Sequence, residues 1–120
     1  MVRLGGATIL AGTDLGNPHI FAGSSLHDEL ALLVAAGLSP RQALAAATIE
    51  PARFLGLGRS LGKVESGKLA DLVILDADPL LDIENSRRIS AVVSNGRYFG
   101  KPELEAMQDS AATLAGAAGG

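Results

Sequence analysis

An aspartate closing a short apolar run, Ala7-Thr8-Ile9-Leu10-Ala11-Gly12-Thr13-Asp14, is the residue of this sequence best placed to do chemistry. The run is uncharged and carries β-branched Thr8 and Ile9, which predicts a strand buried on both faces. It delivers a carboxylate into a loop, 15–25, punctuated by Gly16, Pro18 and Gly23. In α/β proteins the working residues collect at the carboxyl ends of strands. Asp14 is therefore a candidate base or metal ligand, set against the plain reading of a loop or N-cap aspartate. His19, on the same loop, is a candidate substrate contact, set against a solvent-exposed loop histidine. His27 and Glu29 fall where a helix begins, so local charge pairing is expected of the histidine and a helix-start role of the acid, although that carboxylate could also face a pocket. Asp71 reads as a turn or strand-edge residue rather than a second metal carboxylate. Gly67-Lys68 lacks the glycine-rich approach and following Ser/Thr of a phosphate loop, and reads as a turn.

The elements that must position these residues are legible from punctuation and periodicity. Ser24 and Ser25 are expected N-caps for a helix over 26–36, with Asp28 and Glu29 in its first turn complementing the helix dipole. Leu26, Leu30, Leu33 and Val34 form its buried stripe, and Gly37 stops it. Ser39-Pro40-Arg41-Gln42 predicts a capping box with proline at the first helical position, opening a second helix to about Thr48. A short third helix is expected over 51–55, closed by Gly56. After Gly58 the pattern changes. A turn-rich connection over 62–68 leads to a strand over 70–76, a polar interruption over 82–86, and a strand over 89–94. Asn95-Gly96 is a strong hairpin signal returning through Arg97-Tyr98-Phe99. A boundary is expected near residue 60, with helices before it and a small antiparallel sheet after it. The tail is expected to start with a helix from Pro102 to about Leu114 and to end in disorder over 115–120.

Composition bounds the function classes. With 120 residues the chain suffices for one ordinary domain. Hydrophobic residues make up 48% but aromatics only 3%, so the core must be built from Ala, Leu, Val and Ile. A net charge of −3 with interspersed signs argues against nucleic acid or an anionic membrane as partner. The absence of cysteine excludes disulfides and thiolate ligands. No run reaches a membrane span and no signal peptide pattern opens the chain, so a cytoplasmic protein is expected.

Four signatures occur in order: Gly12-Thr13-Asp14; Glu29-Leu30 … Ala36-Gly37-Leu38-Ser39-Pro40 … Ala43-Leu44 … Ala47-Thr48 … Pro51-Ala52; Gly67-Lys68-Leu69-Ala70-Asp71-Leu72-Val73; and Val92-Val93-Ser94-Asn95-Gly96-Arg97. Together, over roughly residues 1–100, they resemble the C-terminal region of a metal-dependent amidohydrolase of the imidazolonepropionase-like and Xaa-dipeptidase-like branch. The resemblance implies an α/β chain forming the C-terminal part of a (β/α)₈ barrel and its flanking β-sandwich. Residues 1–60 would supply the last strand and closing helices, with Met1 to Leu4 the stub of the preceding barrel helix. Residues 61–100 would supply the sandwich segment, and 101–120 the tail. The implied chemistry is hydrolysis of a C–N bond in a small amide-type substrate by metal-activated water, with Asp14 as metal ligand and general base, His19 on the substrate loop, and zinc as the default divalent metal. The family's other ligands, a His-x-His, a mid-barrel lysine or glutamate and two further histidines, have no counterparts in this sequence. The chain alone is therefore expected to be inactive. The alternatives are a non-enzymatic remnant or an oligomerising assembly module, and one chain of a split enzyme completed by another subunit.

Overall fold

Gly5 and Gly6, with φ of 58° and 92°, turn the chain back on itself in the computed structural model, which describes residues 3–118. Strands β1 (Arg3–Leu4) and β2 (Ala7–Thr8) pair antiparallel across this turn. The barrel-helix stub expected at the head of the chain is thus replaced, over Arg3 and Leu4, by a strand; Met1 and Val2 lie outside the described residues. The expected strand over 7–11 is also shortened to Ala7–Thr8, and both residues are exposed rather than buried on two faces. The physical reason is local: among the described residues no parallel neighbour strand flanks this segment, so its backbone pairs with the nearest chain available.

Three helices follow. Helix α1 (Ser24–Ala35) begins two residues earlier than expected, with Gly23 at φ 90° in the N-cap position and no side-chain cap. Ser24 and Ser25 are therefore helical and do not cap. Asp28 and Glu29 fall beyond the first turn and are free to reach across to other elements. The helix stops as expected: Gly37 takes φ 109°, Leu38 N donates to Leu33 O and Gly37 N to Val34 O at 3.1 and 3.0 Å, the pairing of a Schellman motif. Helix α2 (Pro40–Ala47) carries the predicted capping box, Gln42 N donating to Ser39 Oγ at 3.2 Å and Ser39 N to Gln42 Oε1 at 2.9 Å. Helix α3 (Ile49–Phe54) starts two residues before Pro51, whose missing N–H costs nothing within the first turn.

The second half forms a three-stranded antiparallel sheet, β3 (Leu72–Leu75), β4 (Ile89–Ser94) and β5 (Arg97–Gly100), in the order β3-β4-β5. Asn95 and Gly96 both have positive φ, 49° and 79°, the two left-handed residues that a tight hairpin of this hand requires. A 3₁₀ helix, Ile83–Arg87, occupies the expected polar interruption. Helix α4 (Lys101–Ala118) packs on β4 and β5. It continues past Leu114, so residues 115–118 are helical where disorder was expected; Gly119 and Gly120 lie outside the described residues.

Leu30, Ala43 and Ile83 form the main buried cluster, so the core sits where α1, α2 and the 3₁₀ helix meet. Leu26, expected in the buried stripe, is 42% exposed, and of that stripe only Leu30 is buried. Ala43 and Ala46 are wholly buried, and these small side chains let α2 lie close to its neighbours. The helical half and the sheet half are joined through the 3₁₀ helix, which packs on α1 and also touches β3.

Candidate functional site

The segment leading to Asp14 is held from behind by two bonds. Ala11 N donates to Ala46 O at 2.8 Å, tying it to the last turn of α2. Gly12 N donates to Glu29 Oε1 at 3.3 Å, tying it to α1. Glu29 is thus not a helix-start acid but, from the second turn of α1, a brace on the backbone two residues before Asp14.

Asp14 is exposed and adopts φ 54°, a left-handed conformation uncommon outside glycine and tolerated best by Asp and Asn. Asn17 closes the turn that follows. Its N and Nδ2 donate to Asp14 O at 3.3 and 3.2 Å, and Nδ2 donates also to Asp14 Oδ2. Among the described residues Oδ1 of Asp14 carries no hydrogen bond. Asn17 was not singled out in the sequence; the signal was the three-residue spacing from Asp14, which suits a side-chain-closed turn.

His19 is exposed with φ 69°. It stands on the same loop as Asp14, and among the described residues no hydrogen bond links the two. His27 is part-buried, and its Nδ1 shares a hydrogen bond of 3.0 Å with Oγ of buried Ser86 in the 3₁₀ helix. Burial first, and the neighbouring Arg87 second, push its pKa below the usual imidazole value, against the opposing pull of Asp28 and Glu84. Arg87 spans Asp28 and Glu84 at 2.8 and 2.7 Å. Among the described residues the local charge pairing expected of His27 does not form: its hydrogen-bond partner is Ser86, 59 residues away, and Asp28 pairs instead with Arg87.

The residues set aside as structural behave as such. Asp71 Oδ1 accepts from Asn95 N at 2.6 Å and fastens the β4–β5 turn to the start of β3. Lys68 Nζ donates to Gly58 O and Arg59 O at 2.7 and 3.2 Å, which locks the connection between the halves. Among the described residues no three His, Asp or Glu side chains converge on a point where they could hold a metal ion. Asp14 fits such a group as a single ligand, with an exposed carboxylate and an oxygen to spare, and a catalytic zinc takes three from protein. The described residues do not complete the set.

A model of the amidohydrolase family matches residues 1–98. The chain belongs to the amidohydrolase family. A member of that family, the imidazolonepropionase of Thermoplasma volcanium, is 46% identical to it over 55 residues, which are 46% of this chain and 14% of that protein. Among solved structures, a Bifidobacterium longum protein put forward as a prolidase superposes with a TM-score of 0.74 at 37% identity, over 88% of this chain and 28% of its own. Molinate hydrolase superposes with a TM-score of 0.64 at 38% identity, over 67% of this chain and 17% of its own. The amidohydrolase chain described here therefore corresponds to a minor part of the length of the relatives it matches. No helix among its described residues is long and apolar enough to cross a membrane.

Proposed function

We propose that this chain supplies the C-terminal part of an amidohydrolase active site that hydrolyses a C–N bond in a small amide-type substrate. The observation that carries the reading is the family match over residues 1–98, which takes in Asp14 together with the helices and sheet behind it. In this reading residues 1–60 form the last strand and closing helices of a (β/α)₈ barrel, 61–100 belong to the flanking β-sandwich, and 101–120 are an appended tail. Residues 7–14 become a barrel strand when neighbouring strands are present to pair with them, in place of the short local hairpin seen here. The likeness to an imidazolonepropionase and to a protein put forward as a prolidase supports the C–N bond as target.

Asp14 is the residue through which the chain acts. A divalent metal, zinc by family habit, when bound supplies a water whose pKa falls towards about 7. The Asp14 carboxylate would contribute one ligand to that metal and would accept a proton of the attacking water. His19, further along the loop, faces the substrate. The remaining ligands come from the rest of the barrel, and residues 1–120 alone turn over no substrate. The protein works in the cytoplasm.

The test is complementation. The barrel portion of an imidazolonepropionase, lacking its own matching segment, is combined with the full 120-residue chain, and metal content and hydrolysis are measured. Recovered hydrolysis that falls by at least about 100-fold with Asp14→Asn, the scale of a lost general base, supports the reading. Recovery indifferent to Asp14→Asn, or hydrolysis by the chain alone, overturns it.

A second reading, an assembly module, is favoured by one observation: the chain exposes 8183 Å², against roughly 6,100 Å² for a compact monomer of its mass. Hydrolysis recovered in the complementation assay decides against it.

A further inference from the structure

We propose that Asn17 is a positioning residue for the Asp14 carboxylate, selecting Oδ1 as the oxygen that faces the reaction; the inference rests on the active-site reading of Asp14 given above. Asp14 is an exposed loop residue, and an exposed carboxylate without fixed partners samples several rotamers and presents its two oxygens interchangeably. Here Asp14 has a partner within its own turn. Asn17 N and Nδ2 both donate to the main-chain oxygen of Asp14, at 3.3 and 3.2 Å, which holds the left-handed backbone at φ 54°. The same Nδ2 donates to Oδ2, so the side chain is tied to the turn that its own backbone makes. Oδ2 is thereby taken, and Oδ1 is left with no partner among the described residues. The backbone two residues upstream is held at the same time by Glu29 Oε1 on Gly12 N, 3.3 Å. Asp14 is thus restrained from both sides, and only the Asn17 contact distinguishes one carboxylate oxygen from the other.

Residues that orient a metal or catalytic carboxylate typically change metal affinity or activity by roughly 10–100-fold when removed. Three features separate Asn17 from a general stabiliser. It is exposed, so its truncation leaves no cavity. It touches Asp14 and not the core. Its role needs only a short side chain with a hydrogen-bond donor, which serine retains.

Two measurements test it. In the full chain, the Hα–Hβ scalar couplings of Asp14 report its rotamer: one rotamer is expected in the natural sequence, averaging in Asn17→Ala, and a return to one rotamer in Asn17→Ser. In the chain complemented by the barrel portion of a relative, zinc affinity is read by competition with a chelator. Asn17→Ala is expected to weaken it by roughly 10–100-fold, with Asn17→Ser recovering most of the loss. If Asp14→Asn weakens zinc binding while Asn17→Ala changes neither the couplings nor the affinity, the positioning role is overturned and the reading of Asp14 stands. If Asp14→Asn itself leaves zinc binding unchanged, the reading of Asp14 fails and the positioning role falls with it.

Discussion

His27 shows how a single side chain acquires a property that its local sequence does not announce. Its neighbours Asp28 and Glu29 suggest an imidazole made more basic by acids, yet burial first and the nearby Arg87 second push its pKa down. The sign of the consequence follows. The folded state favours neutral His27, whereas the unfolded chain titrates near the ordinary value of about 6.5. The stabilisation is complete above that value and is lost as the pH falls through the lowered pKa of the folded state, because there the unfolded chain binds the extra proton. The urea midpoint is therefore expected to rise as the pH approaches the ordinary imidazole value from the acid side, and His27→Gln to flatten that slope; a slope unchanged by the substitution contradicts the assignment. Asp14 is the opposite case. An apolar run ending in Gly12-Thr13-Asp14 was enough to single it out, but not to show that Asn17 and Glu29 hold it.

At the scale of elements, turn chemistry was the most legible feature. The capping box of α2, the glycine stop of α1 and the Asn95-Gly96 hairpin all form where short-range rules place them, since each depends on residues within one turn of chain. The start of α1 was less legible, because nothing in Gly23 marks an N-cap as a serine would. Gly62 is the clearest case of an element-scale constraint hidden in a turn-rich stretch. With φ at 91°, a Cβ there would lie 2.9 Å from Ala52 Cβ, 3.0 Å from Ile49 Cα and 3.1 Å from Thr48 O. Backbone strain and overpacking act together, so Gly62→Ala is expected to destabilise by roughly 2–4 kcal/mol, read as a lower urea midpoint at constant slope. The same substitution at Gly67, also at positive φ but with open space around it, carries the backbone strain alone and is expected to cost about 1–2 kcal/mol.

Taken whole, the molecule buries little for its size. Its radius of gyration is 15.6 Å, against about 13.6 Å for a compact domain of this length. Phe54 and Leu81 are 77% and 84% exposed, and among the described residues no large side chain is fully buried. In the proposed reading, surface of this kind is what further parts of a barrel cover. The isolated chain is accordingly expected to bind an apolar fluorescent dye, and complementation by a barrel portion to reduce that signal; a chain that binds no dye contradicts the idea that these faces await a partner. The sequence by itself determined the family, the order of helices and strands from the first helix onward, and the candidacy of Asp14, because motif order and turn residues are local and survive without neighbours. Only the tertiary structure decided that residues 7–11 pair locally instead of forming a buried strand, that Glu29 and Asn17 brace Asp14, and that His27 answers to Ser86 and Arg87. Each of those outcomes depends on which groups are within reach to satisfy a backbone or a charge. For residues 7–11 and Asn17 these are near neighbours in a turn, and for Glu29 and His27 they are segments distant along the chain.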